Sequence, residues 1–334
     1  MSEEIKKFKV TIDGQTTEVE PGTTILNAAR QIGGKSVPPA MCYYSKLENS
    51  GGRCRTCLVE VSKGSEADPR PMPKLVASCR TTVMDGMEVK NLTSEKTQEA
   101  RKAVTEFLLL NHPLDCPICD QAGECHLQDL GYEHGLQQTR NDFEKNTYDA
   151  DDLGPNIKLN MNRCILCARC VLVANQLTNT REHGILFRGD HAEISTYLNK
   201  ALDNDFIGNV IDVCPVGALT DRTARFASRV WFTKPVDATC TCSKCSGKAV
   251  LWMKGDEIVR VTARKDQYGE VEEFICNECR FEKKDVKHWN IEGPRHISRH
   301  SVISLNHYQK SEEMVVKALE NETAKEISKK DNLE

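Results

Sequence analysis

Sixteen cysteines in 334 residues constrain this chain more than any other feature of its sequence. They form four separated groups, and each contains a Cys-x2-Cys pair. Two thiols at that spacing reach neighbouring corners of one metal site from a single turn. The other use of so many cysteines is a disulfide framework, which belongs to oxidising compartments. The first residues, MSEEIKKFKV, lack the apolar stretch of a secretory signal. The longest apolar stretches, such as Phe107 to Leu110, are far too short to cross a bilayer. A reducing compartment and metal binding are therefore expected. The net charge of -4 offers no basic footprint for nucleic acid.

The chain reads as an α+β protein built from small modules. In residues 1–93, Phe8 to Ile12 alternates like a strand, Asp13-Gly14 marks a hairpin turn and Thr16 to Val19 returns. Thr23-Thr24 caps a helix that runs through Arg30 and stops at Gly33-Gly34, and Leu58 to Val61 reads as a further strand. Residues 94–131 open with a helix on which Ala100, Val104, Phe107 and Leu108 recur at helical spacing. It ends before His112-Pro113, because the residue before a proline avoids helix. Residues 132–234 carry the third cysteine group. Residues 235–292 form a fourth module, with strands Lys248 to Met253 and Glu257 to Thr262 around Lys254-Gly255-Asp256. Residues 293–334 read as a polar tail, in which Ser311 caps a short helix carrying Met314, Val315, Ala318 and Leu319.

Cys42, Cys54, Cys57 and Cys79 form the first group. Four thiolates converging from one loop and a distant strand neutralise ferric charge and bind soft iron. Gly51-Gly52 allows close backbone approach, with N–H groups aimed at sulfide. Together with the hairpin and helix, this group resembles a [2Fe–2S] ferredoxin, with a longer first gap than the plant type. Zinc is the alternative. The second group is His112, Cys116, Cys119 and Cys125. An imidazole in place of one thiolate makes a bound cluster one unit less negative. His126, beside Cys125, reads as an ordinary structural residue.

The third group joins the triple Cys164, Cys167 and Cys170 to Cys214, which precedes Pro215. Such a triple takes its fourth ligand from elsewhere in the chain, so one [4Fe–4S] cluster is expected. Arg163 and Arg169 either offset its charge or form a solvated pair. The fourth group holds Cys240, Cys242, Cys245, Cys276 and Cys279. Its two Cys-x2-Cys pairs suit a [4Fe–4S] cluster or a zinc ion. Those two pairs supply four ligands by themselves, so the expected set is Cys242, Cys245, Cys276 and Cys279, with Cys240 left over.

The spacing from His112 to Cys125, the following Leu127-Gln128-Asp129-Leu130, the cysteine triple and the segment Gly208 to Leu219 carry a family resemblance. Over about residues 5–292, the chain resembles the N-terminal iron–sulfur region of the large peripheral-arm subunit (the 75 kDa or G type) of respiratory complex I, NADH:quinone oxidoreductase. The resemblance implies a β-grasp [2Fe–2S] ferredoxin domain, a His(Cys)3-ligated [4Fe–4S] module and a bacterial-ferredoxin-like [4Fe–4S] domain. A truncated molybdopterin-oxidoreductase-type [4Fe–4S] module follows. There the pattern departs: the early cysteines are reordered and Cys279 stands where a glycine is usual. The resemblance further implies an electron-transfer subunit, peripheral on the cytoplasmic side of the bacterial inner membrane. Electrons arrive from an NADH- and FMN-binding subunit and leave towards quinone through other peripheral-arm subunits, with the [2Fe–2S] site on a side branch. Gly-x-Gly-x-x-Gly, a catalytic triad and a long pterin-binding region are not found, so no substrate site and no molybdopterin are expected on this chain. The alternative is the diaphorase-linked iron–sulfur subunit of a soluble NAD-reducing hydrogenase or formate dehydrogenase. A zinc-rich structural scaffold is more distant.

Overall fold

Alternation of apolar and polar residues writes the first sheet. In the computed structural model, which describes residues 7–136, 138–142, 144–177, 183–196, 200–245 and 247–295, β1 (Phe8–Ile12) and β2 (Gln15–Val19) pair antiparallel. Asp13 and Gly14 join them at φ of 46° and 82°, the positive values a two-residue hairpin demands. In α1 (Ile25–Ile32), the Thr24 side chain accepts the Asn27 N–H as an N-cap. β3 (Leu58–Lys63), β4 (Val76–Ala77) and β5 (Met87–Lys90) complete the order β2-β1-β5-β3-β4, with β1 and β5 parallel. Val10, Ile12, Val59 and Met87 from the sheet share one core with Ile25 and Ala28 of α1.

α2 (Glu95–Leu109) is capped by Ser94 and ends where expected, but its buried face is not the apolar stripe. Phe107 is 73% exposed, and the buried positions are Thr97, Arg101 and Thr105. The Arg101 guanidinium, buried in that face, donates to Thr56 O, Leu58 O and Asn91 Oδ1. Hydrogen bonds to a charged group offset much of the cost of its burial. They fasten α2 to the strand that leaves the first cysteine loop.

α3 (His126–His134) packs on α2. β6 (Ala150–Asp152), β7 (Ile157–Asn160) and β10 (Leu219–Asp221) form an antiparallel sheet in the order β10-β7-β6. α4 (Arg169–Leu177) packs on α5 (Asn209–Val213), and β8 (His183–Leu186) pairs with β9 (Glu193–Thr196). A last antiparallel sheet joins β11 (Lys234–Cys240), β12 (Lys248–Lys254), β13 (Glu257–Ala263) and β14 (Trp289–Pro294) in the order β13-β12-β11-β14. α6 (Asn277–Phe281) lies against β13. One core runs from Leu127 and Leu159 through Val173 and Val213 to Leu251 and Val261. Among the described residues, the modules after α2 thus share an interior.

The last module, the sheet with α6 and the segment between them, acts as a clamp on three earlier parts of the fold. Buried Glu270 pairs with Arg30 of α1 at 2.7 Å and accepts the Ser45 N–H at 2.9 Å. Arg260 of β13 pairs with Glu124 at 2.5 Å. Arg280 of α6 pairs with Asp212 of α5, with both side chains almost wholly out of solvent. No helix among the described residues is long and apolar enough to cross a membrane. The helix expected after Ser311 lies outside the described residues.

Candidate metal centres

In the first group Cys57 immediately precedes β3 and Cys79 sits in the turn after β4. The four sulfurs fall into two pairs. Cys57 and Cys79 Sγ are 3.3 Å apart, and the Cys42 and Cys54 thiols hydrogen-bond each other. Gly51 and Gly52 adopt φ of 94° and 77°, values that side chains with a Cβ rarely take. The loop thereby turns its N–H groups inward. Gly52 N donates to Cys79 Sγ at 3.2 Å, and Arg53 N and Cys54 N each donate to Cys42 Sγ at 3.3 Å. The hydrogen bond from Cys42 holds Cys54 down to about 5, while Cys42 is pushed up by the same bond and by burial. Two sulfur pairs ringed by N–H donors suit a two-iron site, with two thiolates for each iron.

In the second group, His112 lies just past α2, Cys116 opens a single 3-10 turn and Cys125 precedes α3. His112 Nδ1 is buried with no hydrogen-bond partner among the described residues. Burial pulls the ring down to about 4, so it is neutral at pH 7, the state in which an imidazole binds metal. Burial pushes Cys119 up, and Cys125 up to about 12. Such thiols become thiolates only beside a cation. Cys119 Sγ rests against the bare Cα of Gly217, where a Cβ would collide with it.

The third group closes around a small cavity that its four cysteines line with Leu159, Ile194 and Val216. Leu166 and Ala168 take positive φ, 51° and 60°, to wind the triple inward. Leu166 N donates to Cys164 Sγ at 3.3 Å. Burial raises all four thiols, Cys167 to about 11, so this apolar shell also calls for a cation.

Arg163 and Arg169 are each 3% exposed, which removes the solvated-pair reading. Arg163 pairs with Asp115 at 2.5 Å and so ties the Cys164 loop to the Cys116 turn. Arg169 donates to Tyr43 O at 2.6 Å, Ala40 O at 3.1 Å and Val213 O at 3.4 Å, spanning the first and third groups. His126 N donates to Pro215 O at 3.2 Å, and its ring sits against Gly269 rather than among the ligands. Arg101 and Gly217 went unsignalled by motif spacing. Their roles come from what lies against them in space.

The fourth group departs from its expected geometry. β11 ends at Cys240, and the turn that follows brings the Cys240 and Cys242 sulfurs to 3.1 Å from each other. Cys240, Cys242, Cys245 and Cys279 bring their sulfurs within 4.8 Å of one another. Cys276, the residue before α6, touches Cys242 at 3.7 Å. Relative to the expected set, Cys240 enters the compact group and Cys276 stands at its edge.

Ferredoxin-type modules carrying cysteine-lined sites define this chain as an iron–sulfur protein. Family models agree segment by segment. Residues 6–94 match a 2Fe-2S iron-sulfur cluster binding domain, and residues 101–140 match the NADH-ubiquinone oxidoreductase-G iron-sulfur binding region. Residues 154–220 match the ferredoxin-like domain of NADH-quinone oxidoreductase subunit 3. The chain is homologous to the iron–sulfur part of the G-type, or 75 kDa, subunit of NADH-quinone oxidoreductase. It is 38% identical over 288 residues to the G-type NADH-quinone oxidoreductase subunit of Rickettsia bellii (strain RML369-C), covering 86% of this chain and 40% of that protein. It is 39% identical over 285 residues to the NADH-ubiquinone oxidoreductase 75 kDa subunit of Reclinomonas americana, covering 85% and 39%. The chain thus spans about 40% of the length of the curated relatives it matches. Among solved structures, an NAD+-reducing [NiFe]-hydrogenase in the H2-reduced state is similar at 28% identity and a TM-score of 0.57, covering 67% of this chain and 91% of that one.

Proposed function

We propose that the chain relays electrons as the iron–sulfur subunit of an NADH:quinone oxidoreductase. In this reading it holds one [2Fe–2S] cluster on Cys42, Cys54, Cys57 and Cys79. Two [4Fe–4S] clusters sit on His112, Cys116, Cys119 and Cys125, and on Cys164, Cys167, Cys170 and Cys214. Its working modules are residues 1–93, 94–131, 132–234 and 235–292. Such clusters supply one-electron chemistry, and the protein supplies position and electrostatics.

One observation carries the reading: the third ligand set interlocks with both others. Arg169 bonds carbonyls beside Cys42 and beside Cys214. The Cys214–Gly217 segment reaches the second set, where Cys125 Sγ lies 3.9 Å from Pro215 O and Cys119 Sγ rests on Gly217. This supports a linear order of first, third and second site over a side branch for the first. The neutral His112 ring leaves the second site less negative than a four-thiolate one. An NADH- and FMN-binding subunit and other peripheral-arm subunits are the implied partners. The hydrogenase likeness keeps a second reading, a diaphorase-linked subunit.

Anaerobically reconstituted chain is expected to carry about ten irons from these three sites, two plus four plus four. Fewer than about six would end the three-cluster reading. His112→Ala is expected to weaken or lose the second cluster. His112→Cys should keep it at a lower potential, since a thiolate adds negative charge. Unchanged EPR spectra and potentials in both variants would remove His112 from the site.

A further inference from the structure

We propose that Cys240, Cys242, Cys245 and Cys279 hold a single tetrahedral zinc ion rather than an iron–sulfur cluster. Sulfur spacing separates the two. With Zn–S bonds of about 2.3 Å, tetrahedral geometry places sulfurs about 3.8 Å apart. In a four-iron cluster each thiolate caps a different iron, so the cluster body drives the sulfurs much further apart. Here Cys240 Sγ lies 3.1 Å from each of Cys242, Cys245 and Cys279, and Cys242 lies 3.5 Å from Cys245. An opening of roughly half an ångström brings this set to tetrahedral size.

The first and third groups serve as an internal standard. The first group is split into two sulfur pairs, and the third spreads around a cavity. Among the described residues, only the fourth group brings three or more donor atoms all within 4.8 Å of one another. Each iron–sulfur class therefore has its own sulfur layout, and the fourth group shares neither. A disulfide fits poorly too, because an S–S bond is about 2.05 Å.

The backbone is arranged as a metal-binding knuckle. Cys245 N donates to Cys242 Sγ at 3.3 Å, so the Cys242–Cys245 turn presents both sulfurs to one point. Cys240 comes from the end of β11 and Cys279 from α6. The ion would thus pin the strand, the turn and the helix together. Zinc has no redox chemistry, so the site lies outside the electron route. Its role is to hold the clamp whose Arg280, next to Cys279, grips α5. This proposal does not depend on the relay reading.

The test is elemental analysis of the full chain purified anaerobically, with cobalt(II) as a spectroscopic probe. About one zinc is expected beside the cluster iron, and cobalt should give the intense visible bands of a tetrahedral tetrathiolate. Cys240→Ser and Cys279→Ser are expected to lose the zinc, and Cys276→Ser to retain it. Retained cluster iron in each variant reports that the fold persists. If a variant does not fold, the wild-type metal count decides alone. About fourteen irons without zinc would overturn the proposal in favour of a cluster. Wild-type chain with neither zinc nor extra iron would overturn it as well. Loss of zinc in Cys276→Ser with retention in Cys240→Ser would overturn the ligand set. Low cluster iron beside a full zinc would instead count against the relay reading and leave this site standing.

Discussion

Arg280→Ala is expected to destabilise the chain by about 3–5 kcal/mol, the cost of leaving one half of a buried ion pair alone. Arg280 Nη2 donates to Asp212 Oδ2 and, at 2.9 Å, to Asn209 Oδ1. Asp212 also accepts the Ala263 N–H at 3.0 Å. Neither side chain of the pair reaches solvent. Without the guanidinium, Asp212 keeps one N–H donor for a full charge in a low-dielectric interior. A typical domain has only about 5–15 kcal/mol in hand, so the loss is a large fraction. Thermal unfolding of the anaerobic protein should shift down by about 5–15 °C. The third site should lose iron first, because α5 delivers Cys214. A double change, Arg280→Met with Asp212→Leu, removes both charges and should recover much of the loss. A shift in the single variant of under about 2 °C would show that the pair is not what binds the two modules.

Gly217→Ala is expected to remove the second site's four irons while the [2Fe–2S] signal persists. The added Cβ would meet Cys119 Sγ, with Gln121 Cβ at 3.1 Å and Arg163 Cδ at 3.7 Å on other sides. Arg163 is held by Asp115, so the crowded neighbours have little room to yield. The sulfur is the flexible partner, and moving it takes it out of its ligand position. Overfilling a packed interior typically costs about 1–3 kcal/mol even where no ligand is displaced. Gly184→Ala on β8 is the control, since nothing lies within 4 Å of a Cβ there. Iron counts and EPR on the two variants decide the matter. Full iron with an unaltered second-site spectrum in Gly217→Ala would mean that Cys119 is not held by that glycine.

The candidate ligands of the first three groups were legible because a metal site demands particular atoms from a short stretch of chain. His112 to Cys125 and Cys164 to Cys170 are local arrangements, so spacing alone announces them. The hairpin at Asp13-Gly14 and the Thr24 cap were legible for the same reason: their physics is contained in a few adjacent residues. Long-range choices were not legible. Apolar spacing on α2 pointed to Phe107, yet the helix buries Arg101, because carbonyls of a distant strand and Asn91 satisfy its guanidinium. The two Cys-x2-Cys pairs left Cys240 over, yet the turn after β11 brings its sulfur to 3.1 Å from that of Cys242. Arg163 and Arg169 read equally well as surface charges until the fold placed Asp115 and the Tyr43 carbonyl beside them. The sequence by itself determined which candidate ligands gather in which groups, since that chemistry is written in residue type and spacing. Tertiary structure alone decided which charges are buried, how close the sulfurs of the fourth group come and which sites touch, because each depends on segments up to 240 residues apart.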